Sequence, residues 1–203
     1  EALYFSSRFD EALASYKSVA RDFENLFSED SYAKVKTIQL LMISGNYAEA
    51  KNLLDIDFSN YNLIDNPSIS VRTAITYAQL YLLQGEFEKA WEFILLGKNR
   101  VSKNFYIQYE IELRNLENAY FYLTGDKVFA RDLARKNLKF LTGKGLTLSN
   151  NDFGYFYSLI AAIYQWQVKG KLLSSKQRQQ LDYCQKGSYV LYGKLLKMMM
   201  EMK

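Results

Sequence analysis

The 203-residue chain contains no histidine, one cysteine and one proline, and each scarcity removes a class of chemistry or structure. Without histidine, a triad built on an imidazole base is excluded, and general acid-base work would fall to carboxylates, lysine or tyrosine. With Cys184 alone, no internal disulfide forms and no thiolate or imidazole metal site can be assembled. Cys184 sits in the helical pattern Leu181-Asp182-Tyr183-Cys184, where it reads as a small buried hydrophobe and not as a reactive thiol. The low cysteine count is the one pointer to a cytoplasmic location. No apolar run reaches the ~18 residues of a membrane span, and no basic-then-apolar leader opens the chain. Glu1-Ala2-Leu3-Tyr4-Phe5 reads as the last turns of a helix begun earlier. The sequence is therefore expected to be one domain, 1–203, of a longer protein.

Glycines are few, and most sit singly at turns; the close pair Gly143 and Gly145 lacks the rest of a phosphate-binding loop. Glu110 and Glu112, two apart on a helix, point to different faces, and Glu86 and Glu88 flank a turn, so neither makes an acid-base pair. No enzyme is expected, and no cofactor. Asn66-Pro67-Ser68 is blocked as a glycosylation sequon by its proline.

What is present in quantity is aromatic: 17 tyrosines and 13 phenylalanines in a chain that is 49% hydrophobic and 24% charged. That profile belongs to a folded protein whose elements interlock through bulky side chains. A repeat organises them. Four segments share a turn, an aromatic or apolar residue and an alanine: Ser7-Arg8-Phe9-Asp10-Glu11-Ala12, Gly45-Asn46-Tyr47-Ala48-Glu49-Ala50, Gly85-Glu86-Phe87-Glu88-Lys89-Ala90 and Gly125-Asp126-Lys127-Val128-Phe129-Ala130. Their alanines are 38, 40 and 40 residues apart. Glycine ends one helix in the left-handed conformation. The aromatic fills the angle between paired helices, and the alanine permits close approach of neighbouring ones.

This pattern resembles the tetratricopeptide-repeat family, most closely in the third unit, where Ala78, Tyr81, Gly85, Phe87 and Ala90 fall at the family's small, aromatic, turn, aromatic and small positions. The units are longer than the family's 34 residues, and Ile38 and Asn118 stand at small-residue positions. The resemblance implies an all-α, right-handed α-α superhelix (solenoid) of about five antiparallel helix pairs, and no catalysis. Expected helices run over 9–26, 31–44 with 47–57, 68–84 with 87–99, 104–124 with 127–142, and 152–169 with 175–201. Asp55 to Pro67 reads as a solvated loop. The methionine-rich segment from Leu195 to Lys203 reads as a capping helix over the last pair, with an adaptable contact surface as the other reading.

In such stacks the first helix of each pair lines the concave wall. Carrying over the family's groove positions gives Tyr32, Val35, Gln39 and Met42, then Arg72, Ile75, Gln79 and Leu82, then Glu112, Asn115, Ala119 and Tyr122. Gln39, Gln79 and Asn115 would hold the main-chain amides of an extended peptide, and Arg72 a carboxylate. The resemblance thus implies a protein- or peptide-binding scaffold. The other reading is the peptide-sensing regulatory domain of a bacterial transcription regulator or sensor protein.

Charge divides along the chain. Residues 1–100 carry a net −4 and residues 101–203 a net +8. Lys127, Arg131, Arg135 and Lys139 recur every fourth residue as one stripe. It reads as a solvated outer face, with an acidic partner or a phosphate backbone as the alternative. No zinc module or helix-turn-helix accompanies it, so nucleic acid is not the expected partner.

Overall fold

The chain is all-helical in its computed structural model, which describes residues 8–22, 29–60, 67–101, 107–144, 152–170, 174–175, 177–179 and 190–202. Cys184, Asn66, the predicted helix end at Leu26 and the predicted start at Asn104 lie outside the described residues. The elements are α1 (Phe9–Asp22), α2 (Glu29–Ser44), α3 (Tyr47–Asn60), α4 (Pro67–Gln84), α5 (Phe87–Arg100), α6 (Ile107–Leu123), α7 (Lys127–Gly143), α8 (Asp152–Lys169) and α9 (Val190–Glu201).

The same turn joins α2 to α3 and α4 to α5. Gly45 (φ 83°) and Gly85 (φ 74°) occupy the left-handed region that any Cβ would strain. Gly45 N donates to Met42 O (3.3 Å) and Asn46 N to Leu41 O (2.8 Å); Gly85 N donates to Leu82 O (3.2 Å) and Glu86 N to Tyr81 O (2.9 Å). These nested bonds satisfy the last carbonyls of the first helix, so the chain reverses without leaving buried acceptors unpaired. Gly125 (φ 94°) repeats the turn between α6 and α7, where the Asp126 carboxylate caps α7 by accepting from Phe129 N at 3.0 Å.

Ala12, Ala50, Ala90 and Ala130 are all buried, as expected for residues that let helices approach. The aromatic that follows the turn is less uniform. Tyr47 and Phe87 pack against the core, but the equivalent residue after Gly125 is Lys127. Val128 and Phe129 are exposed, and Phe129 meets only the edge of Phe121 among the ring contacts (centroids 4.4 Å).

Each helix packs on its neighbour in sequence from α1 to α8, and α4 also meets α6. One core of buried residues runs from α2 onward, and Ala12, Tyr16 and Leu40 form a smaller cluster between α1 and α2. Gly97 lies at the tightest of them, since a Cβ there would stand 2.6 Å from Leu113 Cδ2 and 3.6 Å from Ala74 Cβ. Three helices thus converge on one hydrogen-sized gap.

Two expectations fail here. Asp55 to Asn60 is the end of α3 and not loop: Lys51 donates to Asp55 Oδ2 and Tyr77 OH to Asp55 Oδ1, each at 2.6 Å, so the helix is held by bonds that local propensity does not register. Residues 61–66 lie outside the described residues, and Pro67 opens α4, where its missing N–H costs nothing. The second concerns the last helix. α9 does not cap α8 as a paired partner; its substantial interfaces are with α6, α2 and α4.

Candidate functional site

α2, α4 and α6 are the helices that carry the predicted concave-wall residues, and α9 lies against all three. The face of α9 turned inward is apolar: Leu191, Tyr192, Leu195, Leu196 and Met199 are buried, at the one- and four-residue steps that define one side of a helix. Lys197 and Glu201 are exposed on the other.

Polar contacts fix its position. Tyr192 OH donates to Glu112 Oε2 at 2.6 Å. Lys194 Nζ donates to the carbonyl of Ile43 at 2.6 Å, and Lys127 Nζ to the carbonyl of Met202 at 3.4 Å. Glu112 is the centre of this network. Its second oxygen accepts from Gln108 Nε2 at 2.9 Å, and the charges of Arg72 and Lys36 act on it. Burial dominates even so and raises its pKa above the usual carboxylate range. Nearby, desolvation together with the Glu112 charge pushes the Tyr157 phenol up to about 12. Burial lowers the Lys194 ammonium, which is the direction expected of a cation taken from water.

The predicted wall residues separate into groups. Met42, Ile75, Leu82 and Ala119 are buried in the core, and Val35 is half-buried. Arg72 donates to Tyr109 OH at 2.9 Å, bridging α4 to α6 and leaving no guanidinium aimed outward by that bond. Tyr122 points to α8, with its ring 5.8 Å from that of Trp166 and the Lys127 ammonium 5.4 Å from its centroid. Tyr32 lies on α2, but its side chain is outside the described residues.

Gln39, Gln79 and Asn115 stand apart. Gln39 Oε1, Gln79 Oε1 and Asn115 Nδ2 are each buried with no hydrogen-bond partner among the described residues. Their positions follow from spacing. Gln39 is one turn from Lys36, Gln79 two turns from Arg72 and Asn115 one turn from Glu112, while the one bond that Asn115 makes is to Tyr164 of α8. Asn115 uses only its oxygen, which accepts from Tyr164 OH at 3.3 Å. A buried amide atom left unpaired costs about 1–3 kcal/mol. Three of the predicted groove positions thus carry an atom short of a partner.

No family model, curated protein or solved structure matches the chain. The site therefore rests on its own geometry. Among the described residues no group of three or more potential metal ligands exists, and no helix is long and apolar enough to cross a membrane.

Two members of the basic stripe have partners within the chain. Lys127 is committed to Tyr122 and Met202, and Arg135 pairs with Asp132 at 2.6 Å. Arg131 and Lys139 are exposed. A pocket of about 250 Å³ between α5 and α6 is lined by Lys98, Glu110, Arg114 and Glu117, but these close on one another as Lys98–Glu117 (2.5 Å) and Arg114–Glu110 (2.7 Å). Sequence reasoning missed Glu112 as a buried anchor and Tyr192 as its donor. The signal that a carboxylate stood among apolar residues of α6 was present, but nothing local named its partner eighty residues away.

Proposed function

We propose that this chain is a tetratricopeptide-like stack of helix pairs that serves as a binding scaffold, and that the wall formed by α2, α4 and α6 takes a peptide or protein segment. The recurrent glycine turns and the four buried alanines support the stack; the three unpaired amides carry the binding reading. An extended segment presents one N–H and one C=O per residue, which is what Gln39 Oε1, Gln79 Oε1 and Asn115 Nδ2 require. Satisfying them on binding returns a desolvation cost already incurred on folding, so selectivity comes from the wall and not from the outer face.

The test is selection of peptides from a random display library on the full chain, followed by binding to the triple variant Gln39→Ala, Gln79→Ala, Asn115→Ala with its helicity checked by circular dichroism. Peptides that lose at least tenfold in affinity on the variant support the reading. Binders indifferent to all three substitutions would move recognition to the exposed side, beginning with Arg131 and Lys139.

A further inference from the structure

α9 occupies the wall but does not complete it. Its own N–H and C=O groups are consumed in its helix, so it supplies apolar cover and has no backbone partner to offer the unpaired amide atoms of α2, α4 and α6. Its attachment is polar as well as apolar: the Tyr192 hydroxyl on Glu112 and the Lys194 ammonium on the Ile43 carbonyl. Each of these pins can be replaced by water once the helix leaves, since both Glu112 and Lys194 are held against their preference for solvation. Gly193, buried in the first turn of the seated helix, weakens its intrinsic helicity.

From these observations we infer that α9 is a resident ligand of the inner wall, displaced by an extended apolar peptide that carries one hydroxyl or cationic donor for Glu112. The inference rests on the reading of that wall as a peptide site. The incoming segment needs apolar side chains because the surface uncovered is the one now buried under Leu191, Leu195, Leu196 and Met199. It needs a donor because Glu112 would otherwise be recovered without Tyr192, and a buried carboxylate stripped of a hydrogen bond is more costly than a neutral group. It must be extended because a second helix would repeat the deficit that α9 leaves.

The experiment uses the full chain throughout. Hydrogen exchange of the 190–201 amides is compared with that of the buried α4 segment 77–82, in wild type and in Tyr192→Phe. A labelled synthetic peptide of sequence 190–202 is titrated into wild type and into the double variant Leu191→Asp, Leu195→Asp, which unseats α9 without altering the wall. We expect α9 to exchange at least tenfold faster than α4, a further rise of about tenfold with Tyr192→Phe from loss of one hydrogen bond to a carboxylate, and at least tenfold tighter capture of the peptide by the double variant. Exchange of α9 only together with α4 would overturn the displacement, because α9 would then be part of the cooperative core. So would loss of helicity across the whole chain in Tyr192→Phe. Peptides obtained by selection on the wall should compete with the labelled peptide; free opening of α9 without any such competition would overturn the wall as a peptide site while leaving its reversible docking intact.

Discussion

Two sets of buried amides, on the same stack and of the same chemistry, are treated in opposite ways. Between α6, α7 and α8, Asn118 Nδ2 donates to Ala130 O at 2.7 Å and to Gln167 Oε1 at 3.1 Å, and Gln167 Nε2 returns a bond to Asn118 Oδ1 at 3.0 Å. Every partner is found. Gln39 of α2, Gln79 of α4 and Asn115 of α6 each keep a buried atom with none, even though Asn115, like Asn118, bonds to α8. A satisfied buried amide specifies how helices meet; an unsatisfied one only costs stability unless something arrives to pair it. The contrast separates residues that build the stack from residues that equip it.

Asn118→Leu should have the largest effect. It strands Gln167 and the Ala130 carbonyl, and should lower the unfolding free energy by about 2–3 kcal/mol in urea titrations. Its counterpart Gln79→Met, at a position just as enclosed, should stay within about 1 kcal/mol of wild type or exceed it, because no bond is lost and an apolar group of similar length replaces an unpaired one. Equal losses in the two variants would erase the distinction between the sets.

Next in size is the carboxylate under α9. The Glu112 pKa is raised in the folded state by burial, so its contribution to stability is fully present below the ordinary value of ~4.3 and is lost as pH rises through the folded value. The groups facing it are Gln108 on its own helix, Tyr192 of α9, Arg72 of α4, Lys36 of α2 and Tyr157 of α8. Glu112→Gln keeps an acceptor for Tyr192 and removes the titration. The stability of wild type minus that of the variant should therefore fall as pH rises from 4 to 8, and a flat difference would mean that Glu112 is not held away from water. A smaller effect belongs to the turns: Gly85→Ala, at φ 74°, should cost about 1 kcal/mol through left-handed strain, whereas Gly143→Ala, with open space around its Cβ and no such φ, should cost nothing measurable by thermal melting.

The turns and helix ends were legible in the sequence because glycine conformation and alanine burial are local matters. The resemblance singled out Gln39, Gln79 and Asn115, but nothing local showed that each would keep a buried atom without a partner. Asn118 was visible only as a departure, a polar residue where a small one was expected, and its reason lies in Gln167, 49 residues on. The end of α3 was misread because aspartate and asparagine favour turns when alone, while Tyr77 from the next helix holds Asp55 in place. The seat of α9 was not legible at all. An apolar stripe on a helix states that something covers it and never what, and the covering surface here is assembled from helices far apart in the chain.

That distance has a kinetic consequence. The Lys194–Ile43 bond joins residues 151 apart, whereas the main interfaces among α1 to α8 are between helices one or two places apart in the chain. The neighbouring pairs can form as soon as each hairpin is made, but α9 must wait until α2, α4 and α6 stand in register, since the cost of closing so long a loop is recovered only when the whole wall exists. Synthesis sets the same order, because the wall precedes α9 along the chain. Until α9 docks, the apolar surface of α2, α4 and α6 that it covers is open to solvent.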